Sequence, residues 1–188
     1  LSHMEAGESL HTFLGPLGYP SEFTKMDIEE LKKQRWVFVG GGLGIAPIYP
    51  QVKWLSDRGV EVEVILGAKT KDLIILEEKL RKIVKELHLC TDDGSYGFKG
   101  MVTDCLKDLV EKQGKKYNHC VCIGPMIMMK FVALMTKELG IPTTVSMNTI
   151  MVDATGMCGA CRVTVGGETK FACVDGPEFD AHQIDFDE

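Results

Sequence analysis

Three cysteines and one aspartate near the C-terminus carry the chain's clearest chemical pattern. The run Asp153-Ala154-Thr155-Gly156-Met157-Cys158-Gly159-Ala160-Cys161, followed by Cys173, reads Asp-x4-Cys-x2-Cys-x11-Cys. A plant-type [2Fe–2S] loop reads C-x4-C-x2-C and then a more distant cysteine, so every spacing holds and Asp153 stands where the first cysteine would be. Chemistry of that kind moves electrons singly. Gly156 and Gly159 suit a loop that must bend tightly and turn backbone N–H groups toward sulfur. Two other readings stay open. One is a zinc site, since three thiolates and a carboxylate are acceptable to that ion although the spacing is not that of a knuckle. The other is cysteines that merely pack. At the first position a hydroxyl, a water or another carboxylate such as Asp175 could also serve.

A second pattern lies upstream. Trp36-Val37-Phe38-Val39 runs into Gly40-Gly41-Gly42-Leu43-Gly44-Ile45-Ala46-Pro47, and apolar residues at helical spacing follow. Strand, glycine turn and helix in that order suit a phosphate cradle. Glycine lets the backbone approach a pyrophosphate, and a helix starting beyond Pro47 offers free N–H groups and a positive dipole end. Gly42 and Gly44 are expected nearest the phosphates. A tight structural turn is the plain alternative.

The elements between these patterns must position them. Strands are expected near 36–39, 61–66, 87–91, 118–123 and 142–146, with helices over 48–58, 76–87, 102–111 and 126–139. Strands separated by helices imply right-handed crossovers and an α/β fold whose parallel sheet is covered on both faces and binds ligands beyond its C-terminal edge. The glycine turn and the loops at 91–100 and 122–126 all follow strands and meet at that edge. Met126, Met128, Met129 and Met135 read as a core-filling stripe, and His88, His119 and His182, lacking a paired spacing, as structural or solvated.

Composition narrows the setting. The 188 residues are 45% hydrophobic and 26% charged with a formal net charge of −6, which suits a globular chain with a substantial core and argues against nucleic acid as a partner. No apolar run approaches the roughly 20 residues of a membrane span, and no secretory segment opens the chain. Seven cysteines without a disulfide framework suit a reducing cytoplasm. Cys90, Cys105, Cys120 and Cys122 fall among apolar residues and read as small buried hydrophobes.

The glycine turn, the loop Thr91-Asp92-Asp93-Gly94-Ser95-Tyr96-Gly97-Phe98-Lys99-Gly100 and the turn Gly124-Pro125 together resemble the ferredoxin–NADP+ reductase superfamily. Its nucleotide domain carries a GGGxGxxP turn, a TDDGSxGxKGxVT-like loop and a Gly-Pro turn before the last long helix. With the cluster segment added, the chain is similar to the electron-transfer subunits of dihydroorotate dehydrogenase. Through Asp153 it resembles most the small (alpha) subunits of NADH-dependent reduced ferredoxin:NADP+ oxidoreductase, also called sulfide dehydrogenase subunits. The resemblance runs from about residue 13 to the end.

That resemblance implies an NAD(P)-binding domain over 31–147 and a [2Fe–2S] domain over 148–188, preceded by the end of an FAD-domain linker over 5–30; Leu1-Ser2-His3-Met4 by itself reads as a vector remnant. Family members carry an N-terminal FAD barrel of about one hundred residues with an Arg-x-Tyr-Ser/Thr motif. None appears here, and Gly15-Pro16-Leu17-Gly18 resembles the segment where that barrel ends. The chain therefore reads as a fragment without tight FAD binding, inactive alone, and no catalytic residue is assigned.

By the same resemblance Asp153, Cys158, Cys161 and Cys173 ligate two irons, and Gly42, Leu43, Gly44 and Ala46 line the pyrophosphate. Asp93 and Gly94 face the nucleotide, although such a pair after a strand is most often only a turn. Gly124, Pro125 and Met126 border the nicotinamide. Cys122 stands two residues before Gly124, where many members place a cysteine directly before the glycine, which leaves its contact undecided. The implied activity is hydride exchange between NAD(P)(H) and FAD, with single electrons passing through the cluster to a large glutamate-synthase-like flavoprotein subunit and ferredoxin taking part indirectly. The electron-transfer subunit of NAD-dependent dihydroorotate dehydrogenase is the alternative within this class. A zinc-stabilised nucleotide-binding or docking module is the alternative outside it. The acidic tail over 175–188 is a solvated terminus or a docking surface. Gly67-Ala68-Lys69-Thr70 offers no carboxylate for a ribose diol, so NADH and NADPH are not separated.

Overall fold

The run from Trp36 to Val39 lacks polar alternation because both faces of its strand are covered. In the computed structural model, which describes residues 3–187, it forms the first four residues of β1 (Trp36–Gly41), buried throughout. Leu1 and Ser2 of the supposed remnant and Glu188 of the acidic tail lie outside the described residues. A 3-10 turn (Glu22–Lys25) and α1 (Ile28–Lys33) precede β1, and Asp27 caps α1 by accepting from the N–H groups of Glu29 and Glu30. Then come α2 (Ile45–Ser56), β2 (Val62–Ala68), α3 (Glu77–Arg81), β3 (Glu86–Thr91), β4 (Phe98–Lys99), α4 (Val102–Lys107), β5 (His119–Ile123), α5 (Met126–Glu138) and β6 (Thr143–Ser146). The C-terminal part adds the hairpin β7 (Arg162–Val165) and β8 (Glu168–Phe171), then β9 (Glu178–Asp180).

Seven strands form one sheet in the order β4-β3-β2-β1-β5-β6-β9. Every neighbouring pair is parallel except β6 with β9. Alternate residues of β1 serve opposite cores. Val37 and Val39 join Cys90, Cys105, Cys120, Cys122 and Met129 under α4 and α5, while Trp36 and Phe38 join Phe23, Leu31, Ile48 and Leu55 under α1 and α2. The four upstream cysteines are buried, as expected. The methionine stripe is only partly core: Met129 is buried and Met128 and Met135 are half-buried against it, but Met126 is exposed at the helix start.

Four expectations need correction. The second helix begins at Ile45 and not beyond Pro47, because Pro47 falls in the first turn, where no N–H partner is lost; only Pro50 removes an internal bond. The helix over 76–87 shrinks to five residues. Lys85 N–H already donates to the Val62 carbonyl, and Glu86 and Leu87 lie opposite Glu63 and Val64, so strand pairing claims the end of the periodic run. The sheet is also not wholly parallel, since β9 closes its edge in the opposite direction. The helix over 102–111 changes character at Asp108 and continues as a π turn to Lys112.

That π turn delivers Lys115 and Tyr117 to a charged cluster at the N-terminal ends of β2 and β3. One oxygen of Glu63 accepts from Lys115 Nζ (2.7 Å), Tyr117 OH (2.8 Å) and His88 Nε2 (3.1 Å), and Lys115 also meets Glu86 at 2.6 Å. Glu63, Glu86 and His88 converge closely enough to hold a metal ion, but the cation between the two carboxylates is Lys115. Burial alone would raise the Glu63 pKa, yet the three donors overcome it and hold the carboxyl at about 2 against an ordinary 4.5. A depressed carboxyl stabilises the fold above pH 4.5, and that contribution fades as pH falls toward 2. Its size is of order 2–3 kcal/mol. Urea unfolding midpoints should therefore fall steeply between pH 4.5 and 2, and Glu63→Gln should lower the neutral-pH midpoint and flatten that slope. An unchanged slope in the variant would show that Glu63 is not the titrating group.

Candidate functional site

From β1 the sheet extends to β2, β3 and β4 on one side and to β5, β6 and β9 on the other, so the strand order reverses between β1 and β5. Ligands of such sheets occupy the crevice beyond the C-terminal ends at this reversal. The turn after β1, a 3-10 turn at Gly42–Gly44, leads into α2, and Gly124-Pro125 after β5 leads into α5. The two turns meet through bare backbone. A Cβ on Gly44 would stand 2.2 Å from the Ile123 carbonyl oxygen and 2.8 Å from Gly124 Cα; one on Gly41 would stand 2.3 Å from Met128 Sδ. These positions require glycine for room. Gly42 differs, having φ +53 and open space where a side chain would project. Leu43 is 81% exposed beside it, and Ala46 is exposed on the first turn of α2.

Asp93 and Gly94 share this edge but not this turn. Asp93 Oδ1 accepts from Ser95 N at 2.9 Å and Gly94 N donates to the Thr91 carbonyl, which is the local turn such a pair favours. Ser95 Oγ accepts from Lys71 N, the Lys71 ammonium lies 5.0 Å from the centre of the Tyr96 ring, and Tyr96 OH donates to Glu77. The loop is thus tied to the connection between β2 and α3. It stands beyond β3, two strand spacings or about 10 Å from β1. Cys122 is buried in the core beneath α5, where burial pushes its thiol pKa up, so its sulfur is not presented to the crevice. His119 packs on Trp36 with Nε2 2.9 Å from Thr144 Oγ1, and His182 Nε2 lies 3.1 Å from Thr136 Oγ1; both are structural, as their spacing suggested.

The cysteine loop is built from backbone turned the other way. Ala154, Gly156 and Gly159 have φ of 63, 89 and 65, the left-handed region that turns N–H groups inward. The four residues singled out by spacing come together as two pairs. Asp153 Oδ2 accepts from Cys158 N at 2.7 Å and its Oδ1 from Thr155 N at 2.6 Å, while the Cys161 and Cys173 sulfurs lie 3.3 Å apart. The Thr155 N–H foremost holds the Asp153 carboxyl below the usual range, and the Cys173 N–H foremost lowers the Cys161 thiol. The Cys161 side chain foremost raises the Cys173 thiol, and the Gly156 N–H opposes that rise. Cys161 and Cys173 are buried and Cys158 is exposed. Asp175, the other carboxylate considered, accepts from Phe171 N at 2.7 Å and closes the turn after β8.

Crevice and cysteine segment adjoin. A cavity of about 520 Å³ opens between them, with Met126 and Met147 on one wall and Ala160, Arg162 and Val163 on the other. The sequence reading missed Gly41 and Met128. A glycine among glycines and a methionine in an apolar helix give no signal of the contact that unites them.

Over residues 148–185 the chain matches the family model of the iron–sulfur cluster binding domain of dihydroorotate dehydrogenase B, and over 38–134 that of the oxidoreductase NAD-binding domain. Along its whole length it is 47% identical to a dihydroorotate dehydrogenase B (NAD(+)) electron transfer subunit homolog of Thermotoga maritima, spanning 63% of that protein. Identity to the dihydroorotate dehydrogenase B (NAD(+)) electron transfer subunit of Geobacillus kaustophilus is 34%, over 98% of this chain and 68% of that one. The structure of an NADH-dependent reduced ferredoxin-NADP oxidoreductase, described for flavin-based electron bifurcation, superposes with a TM-score of 0.84 at 45% identity, over 99% of this chain and 64% of that chain. The chain therefore spans about two thirds of the length of these relatives.

Proposed function

Since the chain belongs to the family of dihydroorotate dehydrogenase B-type electron-transfer subunits, we propose that it is the nucleotide- and cluster-bearing part of such an oxidoreductase subunit, working in the cytoplasm. In this reading NAD(H) lies across the C-terminal edge. The backbone of residues 42–46 receives the pyrophosphate, Gly124, Pro125 and Met126 border the nicotinamide, and the Asp93-Gly94 turn stands on the adenosine side. The open space at Gly42 and the free N–H groups where α2 begins suit a doubly charged phosphate pair.

The pairing of Asp153 with Cys158 and of Cys161 with Cys173 carries the cluster reading. Two irons take two protein ligands each. A single tetrahedral zinc would need all its donors roughly 3.5–4 Å apart, and among the described residues no three donor atoms of this segment come within 4.8 Å of one another. A bound [2Fe–2S] cluster gives and takes one electron at a time, which couples a hydride carrier and FAD to a one-electron partner. Here the chain's own residues anchor the ligands, and the N–H groups of Gly156 and Cys173 offset negative charge on sulfur.

In this reading FAD is held outside the described residues and exchanges hydride with the nucleotide. Asp153 and the 45% identity to the reduced ferredoxin-NADP oxidoreductase favour that reaction class, with a large glutamate-synthase-like flavoprotein as partner and ferredoxin acting through it. The names of the Thermotoga and Geobacillus relatives favour a second reading, electron transfer from dihydroorotate oxidation. Protein prepared anaerobically after iron-replete expression should contain two irons and two sulfides per chain and show a visible band that dithionite bleaches. A colourless preparation holding one zinc would overturn the relay in favour of a zinc-stabilised docking module. Among the described residues no helix is long and apolar enough to cross a membrane.

A further inference from the structure

The two glycine turns of the crevice, already in direct backbone contact, are buttressed at their junction by one flexible side chain. Met128, the third residue of α5, lays its thioether across the seam between β1 and β5. Its Sδ lies 2.3 Å from where a Cβ on Gly41 would sit, and its methyl 2.5 Å from where one on Gly124 would sit. The same Gly124 position is 3.2 Å from Gly41 Cα, so sulfur and methyl rest directly on two backbones that themselves nearly touch. Pro125 Cδ closes the third side, 3.2 Å from the Gly41 position. Unlike Met129, which is wholly buried, Met128 is only half-buried. An unbranched thioether is the side chain best able to fill so irregular a seam.

We propose that Met128 is the positioning residue of the nucleotide crevice, and a modification site: its thioether buttresses the junction where the pyrophosphate turn meets the nicotinamide turn, and oxidation of that sulfur by peroxide loosens that junction and opens the crevice. The inference rests on the nucleotide reading given above. In the oxidation step, hydrogen peroxide transfers one oxygen to sulfur; the O–O bond breaks, an S–O bond forms, water leaves, and sulfur loses the two electrons that peroxide gains. The added oxygen is polar and needs room on a sulfur already in contact with glycine backbone, where a packed interior has none to give. The turns must then part, and the pyrophosphate and nicotinamide contacts can no longer be made together.

Calorimetry with NADH and with AMP, on wild type, Met128→Ala and Met128→Leu, tests this. Met128→Ala should weaken NADH binding about tenfold, equivalent to about 1.4 kcal/mol, and leave AMP binding unchanged, because AMP ends at its own phosphate and does not span the two turns. Met128→Leu, which refills the seam, should recover most of the loss. Peroxide treatment should weaken NADH binding by wild type to a similar extent and leave Met128→Leu unaffected, with the sulfoxide located by mass spectrometry. Equal NADH affinity in wild type and Met128→Ala overturns the positioning role. A parallel loss of NADH, AMP and melting temperature in Met128→Ala reduces Met128 to ordinary packing and overturns it as well. A peroxide effect that persists in Met128→Leu assigns the sensitivity to other sulfurs. Wild type that binds neither NADH nor AMP refutes the nucleotide reading itself, and this inference falls with it.

Discussion

Asp153→Ala should lose at least nine tenths of its bound iron, whereas Asp153→Cys should keep it. Two effects combine in the alanine variant. It removes the carboxylate at the first ligand position, and it frees the N–H groups of Thr155 and Cys158 that the carboxylate now accepts, so the loop loses both a donor and its fold. Loss of either ligand or supporting contact typically costs metal affinity 10- to 100-fold. Cysteine restores an anionic ligand of the same formal charge, so the large rise in potential seen when neutral histidines replace thiolates is not expected, and the shift should be modest. A carboxylate is a harder donor that takes up hydrogen bonds and protons, so the wild-type potential should vary more with pH than that of Asp153→Cys. Asp153→Asn separates the two roles, because it retains an acceptor for Thr155 and gives up the charge. If Asp153→Ala keeps full iron content and an unchanged electron paramagnetic resonance spectrum on reduction, Asp153 only shapes the turn, and the preference for the reduced ferredoxin reading over dihydroorotate oxidation loses its main support.

Gly44→Ala should abolish measurable NADH binding and lower stability by about 1–3 kcal/mol, the usual cost of overpacking a tight interior. The added methyl would lie 2.2 Å from the Ile123 carbonyl oxygen and 2.6 Å from its carbon. Both are strand backbone, paired in the sheet through β1 and β5, and neither can swing aside as a side chain would. The glycine turn must lift away from β5, taking the start of α2 with it. Gly42→Ala makes an informative contrast, since its methyl would enter open space and strain only a φ of +53. That variant should stay folded with a small loss of stability, about 1 kcal/mol, and weaken NADH only by intruding on the pyrophosphate. Thermal melts and calorimetry on the two variants distinguish a turn that is displaced from a cradle that is filled. Wild-type affinity in Gly44→Ala would remove the crevice from the nucleotide assignment.

What could be read from the chain beforehand was whatever a single element encodes by itself. Trp36 to Val39 ahead of four glycines in five positions specifies a covered strand and a close turn, and the spacing of Asp153, Cys158 and Cys161 can be read because those three lie within nine residues. Contacts between distant elements left no such mark. The periodic residues from Leu76 to Leu87 satisfy a helix as well as a turn followed by a strand, and the pairing of Glu86 with Glu63 decided the matter. Glu178-Phe179-Asp180 offers one apolar residue between two acids, too little to announce a strand, yet an edge strand needs only that one inward face. Glu63 looks like a solvated charge until the π turn after α4 brings Lys115 and Tyr117 beneath it.

The placement of β9 reaches beyond geometry. It comes from the segment after the last cysteine, and it is the strand that occupies the outer side of β6. The Tyr19 N–H donates to the Gly176 carbonyl just before it, and Ser21 Oγ donates to Glu178 within it, so the N-terminal stretch clamps the same strand. Loss of iron that unravelled this segment would therefore strip the cover from β6 and bare its hydrogen-bonding edge to other chains, the usual starting point for self-association. Oxidative damage at the metal site would then appear in the cell less as a slow enzyme than as an insoluble one, and the integrity of the cluster would govern the lifetime of the whole chain.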